Sequence, residues 1–118
     1  MRTYCFRSCI SISHSNDGDR GKAHVHTVEV AVFVKSDEMI LDLQRCMDVE
    51  NLFQQCLEPY QECYLNEMEG FGEDVSIEYF GETLFYQISE KLNEGTIYVE
   101  RLEIGETPLR TYILTRTA

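Results

Sequence analysis

The run Ala23–Val34 constrains this chain more than any other segment. Its even positions read His24, His26, Val28, Val30, Val32 and Val34. Side chains two apart on a β-strand point the same way. One face of this strand is therefore a valine stripe continued by two imidazoles. His14 closes the preceding strand-like run, Tyr4–Ser13, and a hairpin between the two runs brings it alongside. All three histidines of the chain lie in its first 26 residues. Three neutral imidazoles around an open fourth position make a catalytic zinc site in some enzymes. His14, His24 and His26 are accordingly the expected metal ligands. Zinc is the expected ion, although imidazole also suits iron, copper and nickel.

The strand pattern recurs at both ends of the chain. Arg2–Ser13 alternates with Tyr4, Phe6, Ile10 and Ile12 on one face. The polar stretch Ser15–Lys22, with two glycines, reads as a connecting loop. Thr96–Ile104 and Leu109–Thr115 read as two further strands across a turn at Gly105–Pro108. Between the strand pairs the period changes. Val49, Leu52, Phe53, Cys56 and Leu57 recur at helical spacing, predicting a helix over Asp48–Leu57 that stops before Pro59. Leu84, Phe85, Ile88 and Leu92 predict a second over Glu82–Leu92, ended by Asn93-Glu94-Gly95. Residues Gln61–Val75 read as irregular. The order β-β-α-α-β-β predicts an α+β fold, an antiparallel sheet with both helices on one face.

A chain of 118 residues fits one domain, 1–118. At that size roughly two-thirds of the unfolded surface is buried, so one core suffices. The net charge of −11 argues against nucleic acid, whose phosphates need a basic surface. It leaves room for a small anionic ligand held by a few local cations such as Arg20, Lys22 or Arg110. Five cysteines, an odd number without CxxC pairs, read as reduced thiols in a cytoplasmic protein. Cys5 and Cys9, on one strand face, read as packing residues. No signal peptide is expected, since Met1–Ile12 mixes arginines with polar residues. No apolar run approaches the roughly 20 residues that span a bilayer, so no membrane partner is expected.

Two other classes fit parts of this pattern. His24-Val-His26-x2-Glu29 resembles the first metal motif of the all-β cupins. Glu29, however, sits at an odd position and faces away from both histidines unless a bulge intervenes, and two helices fit a jelly roll poorly. A plain interaction domain would hold neither metal nor small molecule.

Taken in order, the segments resemble the 6-pyruvoyltetrahydropterin synthases and the bacterial 6-carboxytetrahydropterin synthases, over nearly the whole chain. The family carries a His near the end of its first strand and a Cys-x3-His-Gly-His segment opening the second. Here these are His14 and Arg20-Gly-Lys-Ala-His24-Val-His26. A Val-Val-Asp-Phe-like segment is matched by Ile40-Leu41-Asp42-Leu43. Leu-Asp-His-x2-Leu-Asn is matched in part by Tyr60–Asn66, and a Pro-Thr-x-Glu-Asn-Leu helix start is echoed by Tyr79–Leu84. A Glu-Thr pair after the third strand is matched by Glu106-Thr107.

The resemblance implies the tunnelling fold, assembled as a trimer or hexamer into a closed barrel with active sites between subunits. It implies zinc on the three histidines and a ligand like dihydroneopterin triphosphate. Glu106 would hold the pterin ring, because a carboxylate accepts two hydrogen bonds from a 2-amino-pyrimidinone edge. Thr107 and Arg20 would complete the ligand site. The proton-transfer groups differ. Arg20 stands where the family has its catalytic Cys, and Gln61-Glu62 where it has Asp-His. Arginine keeps its proton at working pH and cannot act as a base. Either the chemistry is rewired, with Glu62 as acid/base beside Cys63, Asp17 or Asp19, or the chain is a paralogue that binds a pterin or purine without turnover.

Overall fold

The structure is a computed structural model describing residues 2–15, 18–19, 21, 23–37 and 40–116, with the side chain of His24 outside the description. Seven elements follow one another: β1 (Arg2–His14), β2 (His24–Ser36), α1 (Leu43–Leu57), β3 (Cys63–Tyr64), α2 (Ile77–Leu92), β4 (Ile97–Thr107) and β5 (Arg110–Thr115). Short 3-10 turns, Glu58–Tyr60 and Leu65–Glu67, flank β3. The strands form one sheet in the order β3-β1-β2-β4-β5. The expected α+β architecture holds, with both helices packed on one face.

The valine stripe anchors that packing. Val28, Val30, Val32 and Val34 are fully buried, beside Phe6, Ile10 and Ile12 of β1. They meet Val49, Phe53, Cys56 and Leu57 of α1 and Ile77, Phe80, Leu84, Ile88 and Leu92 of α2. β1 and β2 pair antiparallel from Arg2↔Ser36 to His14↔His24. The hairpin is thus long enough to carry the histidines beyond the helical cover. α2 lies close on the sheet at Gly81, where a Cβ would sit 3.2 Å from Ile104 and Tyr112 atoms. A helix-interior glycine costs about 1 kcal/mol in propensity; here it admits that close approach.

Several boundaries differ from the sequence expectation, each for a local reason. α1 starts at Leu43, five residues before the predicted Asp48, because Asp42 caps it by accepting from the Arg45 N–H at 2.8 Å. Its first turns expose Leu43 and Met47, so apolar periodicity does not reveal them. α2 starts at Ile77 rather than Glu82: Ser76 Oγ accepts from the Tyr79 N–H at 3.1 Å. Glu82 therefore stands in the second turn and does not open the helix. Within the stretch read as irregular, Cys63–Tyr64 adds a two-residue strand parallel to β1. Cys5 and Cys9 are exposed on the face away from the helices instead of packed.

β4 holds the most consequential departure. Ile97 and Val99 face the core, yet Leu102 and Ile104 do so too. The pairing Phe33↔Arg101 followed by Val34↔Val99 leaves Glu100 as an extra residue on β4. This bulge shifts the alternation by one. A second shift, between Gly105↔Thr111 and Thr107↔Arg110, makes Glu106 the extra residue against β5. Glu106 thus belongs to a strand, not to the predicted Gly105–Pro108 turn.

Candidate metal and ligand site

Ile12 pairs with His26, and His14 with His24, so the register sets His14 and His26 diagonally across the β1–β2 hairpin. Their rings lie 5.3 Å apart between centroids, tilted by 46°. The parity shift in β4 brings Glu106 to the same face. Its Oε2 lies 3.0 Å from His26 Nε2 and 3.4 Å from His14 Nε2. One donor atom from each residue falls within 4.8 Å of the others. The cluster is mostly shielded from water, with side-chain exposures of 6% for His14, 23% for His26 and 13% for Glu106.

Hydrogen bonding sets the tautomer of His14. Its Nδ1 lies 2.6 Å from the carbonyl oxygen of Val75. A carbonyl only accepts, so Nδ1 carries the proton and donates it. In the neutral ring Nε2 then presents a lone pair to the cluster. That atom is buried without a hydrogen-bond partner. An imidazole whose second nitrogen is fixed by a backbone carbonyl is the usual arrangement of a metal-bound histidine. Two imidazoles and a carboxylate suit zinc and other first-row divalent ions. Ligands about 2.0–2.2 Å from one tetrahedral ion lie roughly 3.3–3.6 Å apart, close to the two histidine–carboxylate separations. The donors therefore fit a divalent metal.

Asn66 holds this corner together. Its Oδ1 accepts from the Ser15 N–H at 2.9 Å, while its Nδ2 lies 2.9 Å from the Ser15 carbonyl and 2.7 Å from that of Glu73. The Val75 N–H also donates to the Ser15 carbonyl, at 3.1 Å. Asn66 thus ties the end of β1, next to His14, to the backbone segment that accepts the His14 hydrogen bond. Ser15 is almost fully buried, and its hydroxyl lies 3.1 Å from that of Tyr64. Replacing Asn66 by alanine leaves the buried Ser15 N–H without its partner, at about 1–3 kcal/mol. The urea midpoint is expected to fall correspondingly, with the slope of the transition unchanged.

The other residues singled out in the sequence lie elsewhere. Glu62 is exposed, in a left-handed backbone conformation at φ 59, and its N–H donates to the Ser11 carbonyl at 2.6 Å. Gln61 uses its side-chain oxygen to accept from the Ser11 N–H. The Cys63 thiol faces the carbonyls of Pro59 and Gln61, at 3.2 and 3.4 Å. Neither Glu62 nor Cys63 belongs to the His14–His26–Glu106 cluster. Thr107 lines a cleft of about 320 Å³ on the opposite sheet face, with Arg7, Glu29 and Glu103, and accepts from the Leu109 N–H. Asp19 accepts from the Gly21 N–H. Arg20, Asp17, Lys22 and the His24 side chain lie outside the described residues. Beside Glu106, a small cavity of about 100 Å³ is lined by Glu78, Arg110 and Tyr112. Burial first, then the carboxylates of Glu82 and Glu78, push the Tyr112 phenol above its ordinary value, so it stays a neutral O–H.

Sequence reasoning missed Asn66 and Val75. Asn66 was visible only as part of a segment match. Val75 acts through its carbonyl, which every residue has, so no side-chain pattern points to it.

Comparisons with known proteins agree with this fold. Among solved structures, the 6-pyruvoyl tetrahydropterin synthase of Caenorhabditis elegans superposes with a TM-score of 0.80 at 16% identity, covering 98% of this chain and 96% of that one. A catalytic-residue mutant of the Plasmodium vivax 6-pyruvoyltetrahydropterin synthase gives 0.73 at 11% identity, covering 99% and 98%. The Plasmodium falciparum enzyme gives 0.69 at 12% identity, covering 99% and 98%. At these identities the likeness is one of fold. No curated protein sequence matches the chain. Among the described residues no helix is long and apolar enough to cross a membrane. The family model for 6-pyruvoyl tetrahydropterin synthase matches residues 2–117, and the chain belongs to that family.

Proposed function

We propose that this chain is a zinc-dependent protein of pterin metabolism that takes a dihydroneopterin-triphosphate-like ligand. The observation that carries the reading is the convergence of His14 Nε2, His26 Nε2 and Glu106 Oε2 on one shielded point. His24, whose backbone pairs with His14, is the third imidazole of the set. A bound zinc ion would supply Lewis-acid polarisation of ligand oxygens. Glu106 holds the amino-pyrimidinone edge of the ring through paired hydrogen bonds, and Arg20 completes the ligand contacts. The outer edge of β5, which pairs only with β4 among the described residues, supports assembly into a homotrimer or homohexamer, since an unpaired edge invites strand addition.

A second reading, a pterin-binding paralogue without turnover, has its own support. The Gln61 amide is engaged with β1 and the Cys63 thiol faces two carbonyls. Arg20 stands where the family carries its Cys. One experiment separates the two. The full chain, loaded with zinc, is mixed with dihydroneopterin triphosphate, and binding and product are followed together. Conversion that disappears in His24→Ala establishes the enzyme. Binding without conversion establishes the paralogue. Neither binding nor conversion overturns both readings.

A further inference from the structure

We infer that Glu106 is an exchangeable metal ligand, coordinating the ion when no pterin is present and leaving it when the ring binds. The inference rests on the metal-site reading above and concerns how that site opens and closes.

Three observations carry it. First, Glu106 Oε2 sits 3.0 Å and 3.4 Å from the two histidine Nε2 atoms, at ligand–ligand spacing. Second, His14 Nδ1 donates to the Val75 carbonyl, so in the neutral ring the lone pair of Nε2 faces a carboxylate that also only accepts. A shared cation satisfies both groups at once. Third, Glu106 is the extra residue of a bulge between β4 and β5. Bulges re-aim side chains, and the extra residue is unpaired in the local ladder. Its side chain can swing without breaking a β5 pairing.

His14, His26 and Glu106 give the ion three protein ligands, and His24, the third imidazole of the proposed set, would make the fourth, the closed arrangement of structural zinc sites. The same carboxylate cannot also clamp a pterin edge. The ring and the metal therefore compete for it, and by linkage each weakens the other's hold on the resting site. Glu106 thus acts as a latch that keeps the fourth position shut until a heterocycle with the right edge arrives.

The test uses the full chain loaded with Co²⁺, whose visible absorption weakens as coordination number rises, together with chelator competition for affinity. The probe ligand is neopterin, a 2-amino-4-oxo-pteridine. Glu106→Gln is expected to weaken Co²⁺ binding at least about tenfold and to change the spectrum before any neopterin is added. Neopterin is expected to change the wild-type spectrum but not that of Glu106→Gln. Glu106→Asp, which keeps a carboxylate, guards against a folding defect and is expected to bind Co²⁺ more tightly than Glu106→Gln. Wild-type affinity and spectrum in Glu106→Gln overturn the ligand role. A wild-type spectrum unmoved by neopterin overturns the exchange. His26→Ala separates the two levels. If it keeps Co²⁺ at wild-type affinity, the metal-site reading itself falls. If it loses Co²⁺ while Glu106→Gln does not, only the latch falls.

Discussion

The His26→Ala chain is expected to purify without metal, where the wild type carries about one divalent ion per chain. His26 supplies a donor from β2, 3.0 Å from the Glu106 carboxylate. Without it, His14 and Glu106 lose their nearest donor from β2, and the proposed ligand His24 is all that strand has left to offer. The fold is expected to survive, because the His26 side chain is 23% exposed and makes no part of the core. Elemental analysis measures the loss directly. Thermal denaturation supplies a second readout. A metal that binds only the folded chain stabilises it by about 2.7 kcal/mol at a free concentration 100 times the dissociation constant. Zinc should therefore raise the wild-type melting temperature and leave that of His26→Ala where it was. Wild-type protein that holds no metal after zinc is supplied would mean that the histidines keep the fold's geometry without its chemistry.

Much of this site was legible because it lies on β1 and β2, where the signals are local. Alternating valines set the buried face of β2, and His24 and His26 share their parity. A hairpin was enough to bring in His14, and the register bears this out as His14↔His24 and Ile12↔His26. Glu106 is different. Counted from Ile97 and Val99, a strict period of two would place it on the sheet face away from the histidines. Only the extra residue at Glu100 reverses that, and its one trace in the sequence is the switch of apolar parity from Ile97 and Val99 to Leu102 and Ile104. The resemblance drew attention to Glu106 as a ring anchor; its distance to the imidazoles came from the strand register. The starts of α1 and α2 were hidden for related reasons. Exposed Leu43 and Met47 break the apolar stripe of the first, and Gly81 reads as an interruption in the second. The caps Asp42 and Ser76 carried the boundary signal in both.

Phe80→Ala is expected to be the most destabilising single change and to reach the metal site through the backbone. Phe80 is fully buried on α2. Its ring meets that of Tyr60 edge-on at 5.1 Å, with Phe71 a further neighbour at 6.3 Å. Truncating a buried phenylalanine costs about 3–5 kcal/mol, a large share of the roughly 5–15 kcal/mol that holds a domain together. In a chain of this size the melting temperature should drop by about 10–20 °C. Phe80 lies in the first turn of α2, where its N–H donates to the Ser76 carbonyl. The residue before Ser76 is Val75, whose carbonyl fixes His14. A cavity under that turn loosens the segment that orients the imidazole. Metal affinity should therefore fall along with stability, although no ligand has been touched. The contrast with His26→Ala is the check. There the metal goes and the metal-free stability stays; in Phe80→Ala both decline. Undiminished zinc affinity in Phe80→Ala would show that His14 is held by Asn66 and the β1–β2 hairpin alone, with no contribution from α2.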